Sequence, residues 1–166
     1  MTKLYNSLFE NPNYNKHSTN TLRYKYALDF LKFNHSDSNL IDIGSGRGTF
    51  LKLIIKRIPN IKITSADLEK FHPLNVDFVK IDLNKVITLK TKYDVLTCLG
   101  VIEHLKKESL NQVFDFFKKS SNYQFVSIAN HPDIQNGKDV HLIQENLNYW
   151  IPVLEQHFNI KNLIIK

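Results

Sequence analysis

A chain of 166 residues suits one domain with a respectable core and would crowd two. With 42% hydrophobic and 23% charged residues it reads as an ordinary soluble globular protein, and no apolar run approaches the ~20 residues that a membrane-crossing helix needs. The net charge of +6 admits an anionic partner, nucleic acid included, but the lysines are scattered. Lys106-Lys107 and Lys118-Lys119 are the densest groups, so a solvated surface is the plainer reading. No apolar stretch follows Met1, which argues against a secretory signal, and the single cysteine, Cys98, has no internal disulfide partner. A cytoplasmic setting is expected.

Residues 1–19 are polar and rich in Asn and Tyr, with Asn11-Pro12-Asn13 as a turn signal. Leu22, Tyr26, Ala27, Phe30, Leu31 and Phe33 recur at three-to-four spacing and predict a helix. Residues 39–43 form a short apolar strand that runs into glycines, and residues 49–55 continue as a helix until Pro59. Strands are expected at 61–66, 76–81 and 93–98. A helix carrying Leu110, Val113, Phe114 and Phe117 follows, and then a fifth strand at 123–129. A last helix from about Gln144 to His157 and a strand at 158–165 complete the chain. This alternation predicts an α/β fold: one domain, with a doubly wound, mainly parallel, Rossmann-like sheet of about six strands. Such sheets bind ligands beyond the carboxyl ends of their strands, at the topological switch point.

The run Leu40-Ile41-Asp42-Ile43-Gly44-Ser45-Gly46-Arg47-Gly48 is the strongest local signal. Alternate glycines let the chain turn sharply off a strand and bring bare backbone against a ligand, and the following helix offers N–H groups to an anion. The dinucleotide fingerprint would need its third glycine at Thr49, so this spacing differs from it. Asp67, next to Leu68, stands about twenty residues further on at the end of the second strand, where a carboxylate can accept two ribose hydroxyls. Asp82 follows the third strand, placed to accept from an adenine amino group with Leu83 against the ring. An Asp after a strand is also a common turn residue.

Taken together, residues 42–48, Asp67, Ile81-Asp82-Leu83 and residues 93–105 resemble the class I S-adenosylmethionine-dependent methyltransferases. The resemblance implies that the loop of Asp42, Gly44, Ser45, Gly46 and Gly48 wraps the methionine portion of S-adenosylmethionine. It further implies that Asp67 and Leu68 hold the ribose and that Asp82 and Leu83 hold the adenine. Leu99 and Gly100 then lie near the methionine ammonium and the methyl group. Glu103-His104-Leu105 and His141 with the helix after it are similar to the branch that methylates small molecules such as quinones, where the histidine at the place of His104 is often helix-start structure. In relatives the segment before the first strand forms a lid. Here it is expected at residues 1–19, and the wider N-terminal stretch holds Tyr5, Tyr14, His17, Arg23, Tyr24 and Tyr26. There is little room for the usual helix between the second and third strands. The usual seventh, antiparallel strand is expected to be missing, which leaves a sheet edge able to pair with a second copy.

Methyl transfer from a sulfonium is an in-line displacement that needs mostly positioning. A general base helps only where the acceptor atom keeps its proton, and His131 and His141 in the loop after the fifth strand are the candidates. A metal reading of His131, Asp139 and His141 lacks tight ligand spacing, so no metal is expected. Cys98 lies in an apolar strand and reads as core. Residues 99–102 do not resemble the Asn/Asp-Pro-Pro-aromatic element of enzymes that methylate base amines. The expectation is therefore methyl transfer to an acceptor that the sequence does not identify, a small molecule or a modest polymer site. The rivals are a cofactor-binding module without catalysis and a nucleic-acid methyltransferase.

Overall fold

A computed structural model describes residues 22–85, 88–135 and 137–161. The elements are α1 (Leu22–Asn34), β1 (Asn39–Ile43), α2 (Thr49–Arg57), β2 (Lys62–Asp67), β3 (Asp77–Lys80) and β4 (Tyr93–Leu99). Two 3-10 turns (Ile102–His104 and Lys107–Ser109) lead into α3 (Leu110–Ser120) and β5 (Ser121–Ser127). A short hairpin, β6 (Ile134–Gln135) and β7 (Lys138–Asp139), precedes α4 (Leu147–Glu155).

The five long strands make one sheet in the order β3-β2-β1-β4-β5, and every pairing in it is parallel. The chain winds outward from β1 to β3 and then returns to place β4 on the other side of β1. The switch point therefore lies between β1 and β4, above Ile43 and Leu99. Side chains alternate across the pleat and feed two cores. Leu40 and Val95 pack with Ala27, Leu31, Leu51 and Ile54 of α1 and α2. Ile41, Ile43, Leu96 and Cys98 pack with Phe114, Phe117 and Trp150 of α3 and α4. Helices thus cover both faces, as the alternation predicts.

The differences from expectation have local causes. Phe33 is 77% exposed, because the buried stripe of α1 runs through Tyr24, Ala27, Leu28 and Leu31 and turns past it. The last helix starts at Leu147 rather than near Gln144, because the Asn146 side chain accepts the N–H of Asn148 and caps it there. The strand expected at 158–165 is absent from residues 158–161, and the rest of it lies outside the described residues. Tyr5, Tyr14 and His17 of the expected lid also lie outside them. Cys98 is fully buried, and burial pushes its thiol well above the ordinary range, as suits a core residue. Among the described residues no helix is long and apolar enough to cross a membrane.

Candidate functional site

The turn leaving β1 is built by glycine. Gly44 sits at φ +73°, and a Cβ there would collide with Cγ2 of Val101. Its N–H, like that of Ser45, donates to the carbonyl of Ala66, at 2.7 and 3.2 Å. Gly44→Ala combines a left-handed backbone with a clash against a packed side chain. It is expected to lower the unfolding free energy by ~2 kcal/mol or more, which urea unfolding would measure. Gly48 has another task. At φ +71° it begins α2, and a Cβ on it would meet Leu74 and His72 rather than the ligand side.

The turn forms one wall of a cleft above the switch point. Its lining includes residues 42–47, Asp67, Leu68, residues 81–84, residues 99–101, His104 and Leu105, together with Arg23 and Tyr24 of α1. Ten of the eleven expected cofactor contacts therefore meet there, and Gly48 alone does not line it. Tyr24 stacks on Phe50 with ring centroids 5.4 Å apart, so part of the N-terminal stretch closes this end of the cleft.

Three carboxyl groups enter from the ends of β1, β2 and β3. Asp42 is 3% exposed and accepts the Thr97 hydroxyl at 2.6 Å, a bond made possible by the register that sets these two residues side by side. Burial pushes its pKa up to about 7, the Thr97 hydroxyl opposes the shift, and the charge of Asp67 adds to it. Asp67 accepts the N–H of Gly46 at 2.8 Å and that of Leu68 at 2.7 Å, which ties the glycine turn to β2. Its pKa is also raised by burial, against these two bonds. Asp82 accepts the N–H of Asn84 at 3.1 Å and pairs with Lys85 at 3.3 Å, so its carboxylate also shapes its own turn.

After β4, Gly100 at φ +72° donates its N–H to Ser127 at 3.0 Å, and a Cβ there would come within 2.5 Å of the Arg23 guanidinium. Glu103, 1% exposed, accepts the N–H of Ala129 through Oε1 at 3.1 Å. Burial raises its pKa, partly offset by its own backbone N–H and by His141. Neither expected base lines the cleft. His131 is exposed, and His141 is buried one ring behind His104, with centroids 4.7 Å apart. Asp139 uses its carboxylate on the N–H groups of Asp133 and His141 and on Gln144. Sequence reasoning places Glu103 and His104 only within a family pattern. The signal able to single them out is a carboxylate directly after the apolar run 99–102, where burial is to be expected.

A parallel sheet with a glycine turn at its switch point and acids at or next to the ends of three successive strands defines a Rossmann-like α/β domain. Residues 14–163 match the family model described as a methyltransferase domain, and the chain belongs to that family. No curated protein matches it. Among solved structures it is similar to the O-methyltransferase of a trans-AT polyketide synthase multienzyme from Brevibacillus brevis, in complex with S-adenosyl-L-homocysteine (20% identity, TM-score 0.57, 81% of this chain and 50% of that one). It is also similar to human N-acetylserotonin methyltransferase, in complex with S-adenosylmethionine (16% identity, TM-score 0.58, 82% and 46%). A small RNA methyltransferase aligns at 17% identity with a TM-score of 0.62, over 82% of this chain and 21% of that one. The chain spans half or less of the length of each.

Proposed function

We propose that this domain binds S-adenosylmethionine in the cleft and passes its methyl group to a small-molecule acceptor. The observation that carries the reading is the convergence of Asp42, Asp67 and Asp82 on one cleft whose wall is glycine backbone. The residues fit the cofactor. Gly44, Gly46 and Gly100 line the cleft without side chains, and the buried Ser45 hydroxyl has no hydrogen-bond partner among the described residues. Bound there, the cofactor supplies a methyl group already activated on a sulfonium.

The chain's own residues then bind and orient. Each Asp67 oxygen keeps a second lone pair beyond the backbone N–H it accepts, enough for one ribose hydroxyl apiece. Leu83 and Ile81 offer apolar surface for a base next to Asp82. Asp42 and Arg23 put opposite charges at the amino-acid end, matching an ammonium and a carboxylate. His131 and His141 lie outside the lining, so positioning carries the transfer rather than proton removal by either. The acceptor is read as a small molecule because neither Lys106-Lys107 nor Lys118-Lys119 lines the cleft.

Calorimetric titration is expected to show one S-adenosylmethionine per chain, and an acceptor screen is expected to release S-adenosylhomocysteine. A folded sample that binds neither compound overturns the reading. Binding without turnover across the screen favours a module that only holds the cofactor. Acceptance of RNA with affinity falling steeply in salt favours a nucleic-acid substrate.

A further inference from the structure

We propose that β5 is a dimerisation edge, along which a second copy of this chain pairs its own β5 antiparallel and joins the two five-stranded sheets into one. The sheet ends in β3 on one side and in β5 on the other, and the hairpin β6–β7 forms a separate sheet. The two edges differ in the features that keep edges from pairing. β3 is four residues long and carries a charge at each end, Asp77 and Lys80. β5 runs for seven residues, Ser121–Ser127, without a charged residue, a proline or a glycine. An edge that long and uncharged is a template for another strand.

The pairing with β4 fixes which backbone groups point outward. The Ser127 carbonyl accepts the Gly100 N–H on the β4 side. Backbone direction alternates along a strand, so Ser121, Tyr123 and Phe125 also turn their polar groups toward β4. Asn122, Gln124 and Val126 turn theirs to the open edge. None of these three N–H and three C=O groups has a hydrogen-bond partner among the described residues. Exposed backbone of this kind is satisfied by water in the single chain and by a ladder in a paired one.

A second copy is the occupant this strand fits, because the strand is complementary to itself. About a two-fold axis at Gln124, that residue meets its own counterpart, and Asn122 meets Val126 of the second copy. These become the hydrogen-bonded pairs of an antiparallel ladder, so every outward group of both strands finds a partner at once. Tyr123 then lies opposite Phe125 of the second copy, in the closer, non-hydrogen-bonded pair, where aromatic rings pack favourably. Tyr123 is 57% exposed in the single chain and ends a row of rings between α1 and the strand. In that row Phe125 lies 5.5 Å from Phe30, Phe30 4.7 Å from His35, and His35 4.8 Å from Tyr123. Pairing joins the two rows across the axis, and the strands bring no like charges together.

Sedimentation velocity of the full chain over a range of concentrations is expected to show a monomer–dimer equilibrium. Asn122→Pro removes one outward N–H per copy and leaves the β4 ladder intact, so it should weaken the dimer at least about tenfold. Register is read by cross-linking, since the single native cysteine, Cys98, is buried. Gln124→Cys sets two Cα atoms ~5.5 Å apart across the axis, within the ~4.4–6.8 Å of a disulfide, and is expected to cross-link on mild oxidation. Asn122→Cys sets them about 14 Å apart and should not. Should the proline variant fail to fold, the two cysteine variants decide. A wild type that stays monomeric at every concentration, a dimer that folded Asn122→Pro leaves as tight, or cross-linking at 122 but not at 124 overturns the proposal. A monomer whose Asn122, Gln124 and Val126 amides resist hydrogen exchange would assign the edge to the chain's own last residues and overturn it too.

Discussion

Replacing Asp67 with alanine is expected to weaken S-adenosylmethionine binding at least about tenfold and to lower the stability of the free protein. The carboxylate bridges Gly46 of the turn and the end of β2, through N–H groups at 2.8 and 2.7 Å. Alanine leaves both backbone donors without that acceptor. Hydrogen bonds to a charged group are worth ~1.5–3 kcal/mol each, but burial already disfavours the anion, so a net loss of ~2 kcal/mol is expected. The affinity loss has a separate origin, since two ribose hydroxyls lose their acceptor and ~1.4 kcal/mol is a factor of ten. Urea unfolding and titration calorimetry separate the two effects. A folded variant with unchanged affinity would sink the ribose assignment, and one with unchanged stability would remove Asp67 from the architecture of the turn.

Asp42→Asn should act in the opposite direction on stability. Burial holds the Asp42 pKa at about 7 against an ordinary value of 3.8. Below about pH 4 the carboxyl is protonated whether the chain is folded or not, and the folded state bears no penalty. As the pH rises toward 7 the unfolded chain ionises first, so stability falls with pH and levels off above the folded pKa. The full span is ~4 kcal/mol, because each tenfold difference in proton affinity between the folded and unfolded chain is worth about 1.4 kcal/mol. Asparagine keeps an oxygen for the Thr97 hydroxyl and carries no charge, so the variant is expected to gain up to ~4 kcal/mol at pH 8 and almost nothing at pH 4. Denaturant unfolding at pH 4, 6 and 8 measures this, and equal stabilities at pH 8 would refute it. Ligand binding should move the other way. An ammonium favours the anion, so wild-type affinity is expected to rise between pH 6 and 8, while the variant binds more weakly and stays flat. Because the charge of Asp67 helps raise the Asp42 pKa, effects at the two sites should not add.

Both residues are legible from sequence because their placement is local. Strand periodicity, the alternate glycines of 44–48 and an acid at the end of the next strand are short-range features. They locate the turn, the five parallel strands and ten of the eleven expected cleft residues. What those residues do to each other is not legible. The Asp42–Thr97 bond exists because β1 and β4, distant in sequence, pair in one particular register. Asp82 divides its carboxylate between its own turn and the cleft, an outcome decided by Asn84 and Lys85.

Fold class and glycine turn thus follow from the order of residues alone, since each rests on positions a few apart, whereas the switch point needs β4 to pair with the distant β1. Which imidazole meets the cleft is instead a matter of packing. His131 and His141 carry suitable chemistry, yet His131 is exposed and His141 is seated behind His104 next to Glu103. That arrangement comes from hydrogen bonds joining the loop before α4 to the turn after β4, at Ile143 and Val140. Pairing between such distant segments is set by how the whole sheet and its helices pack, and a single stretch of sequence carries no record of it.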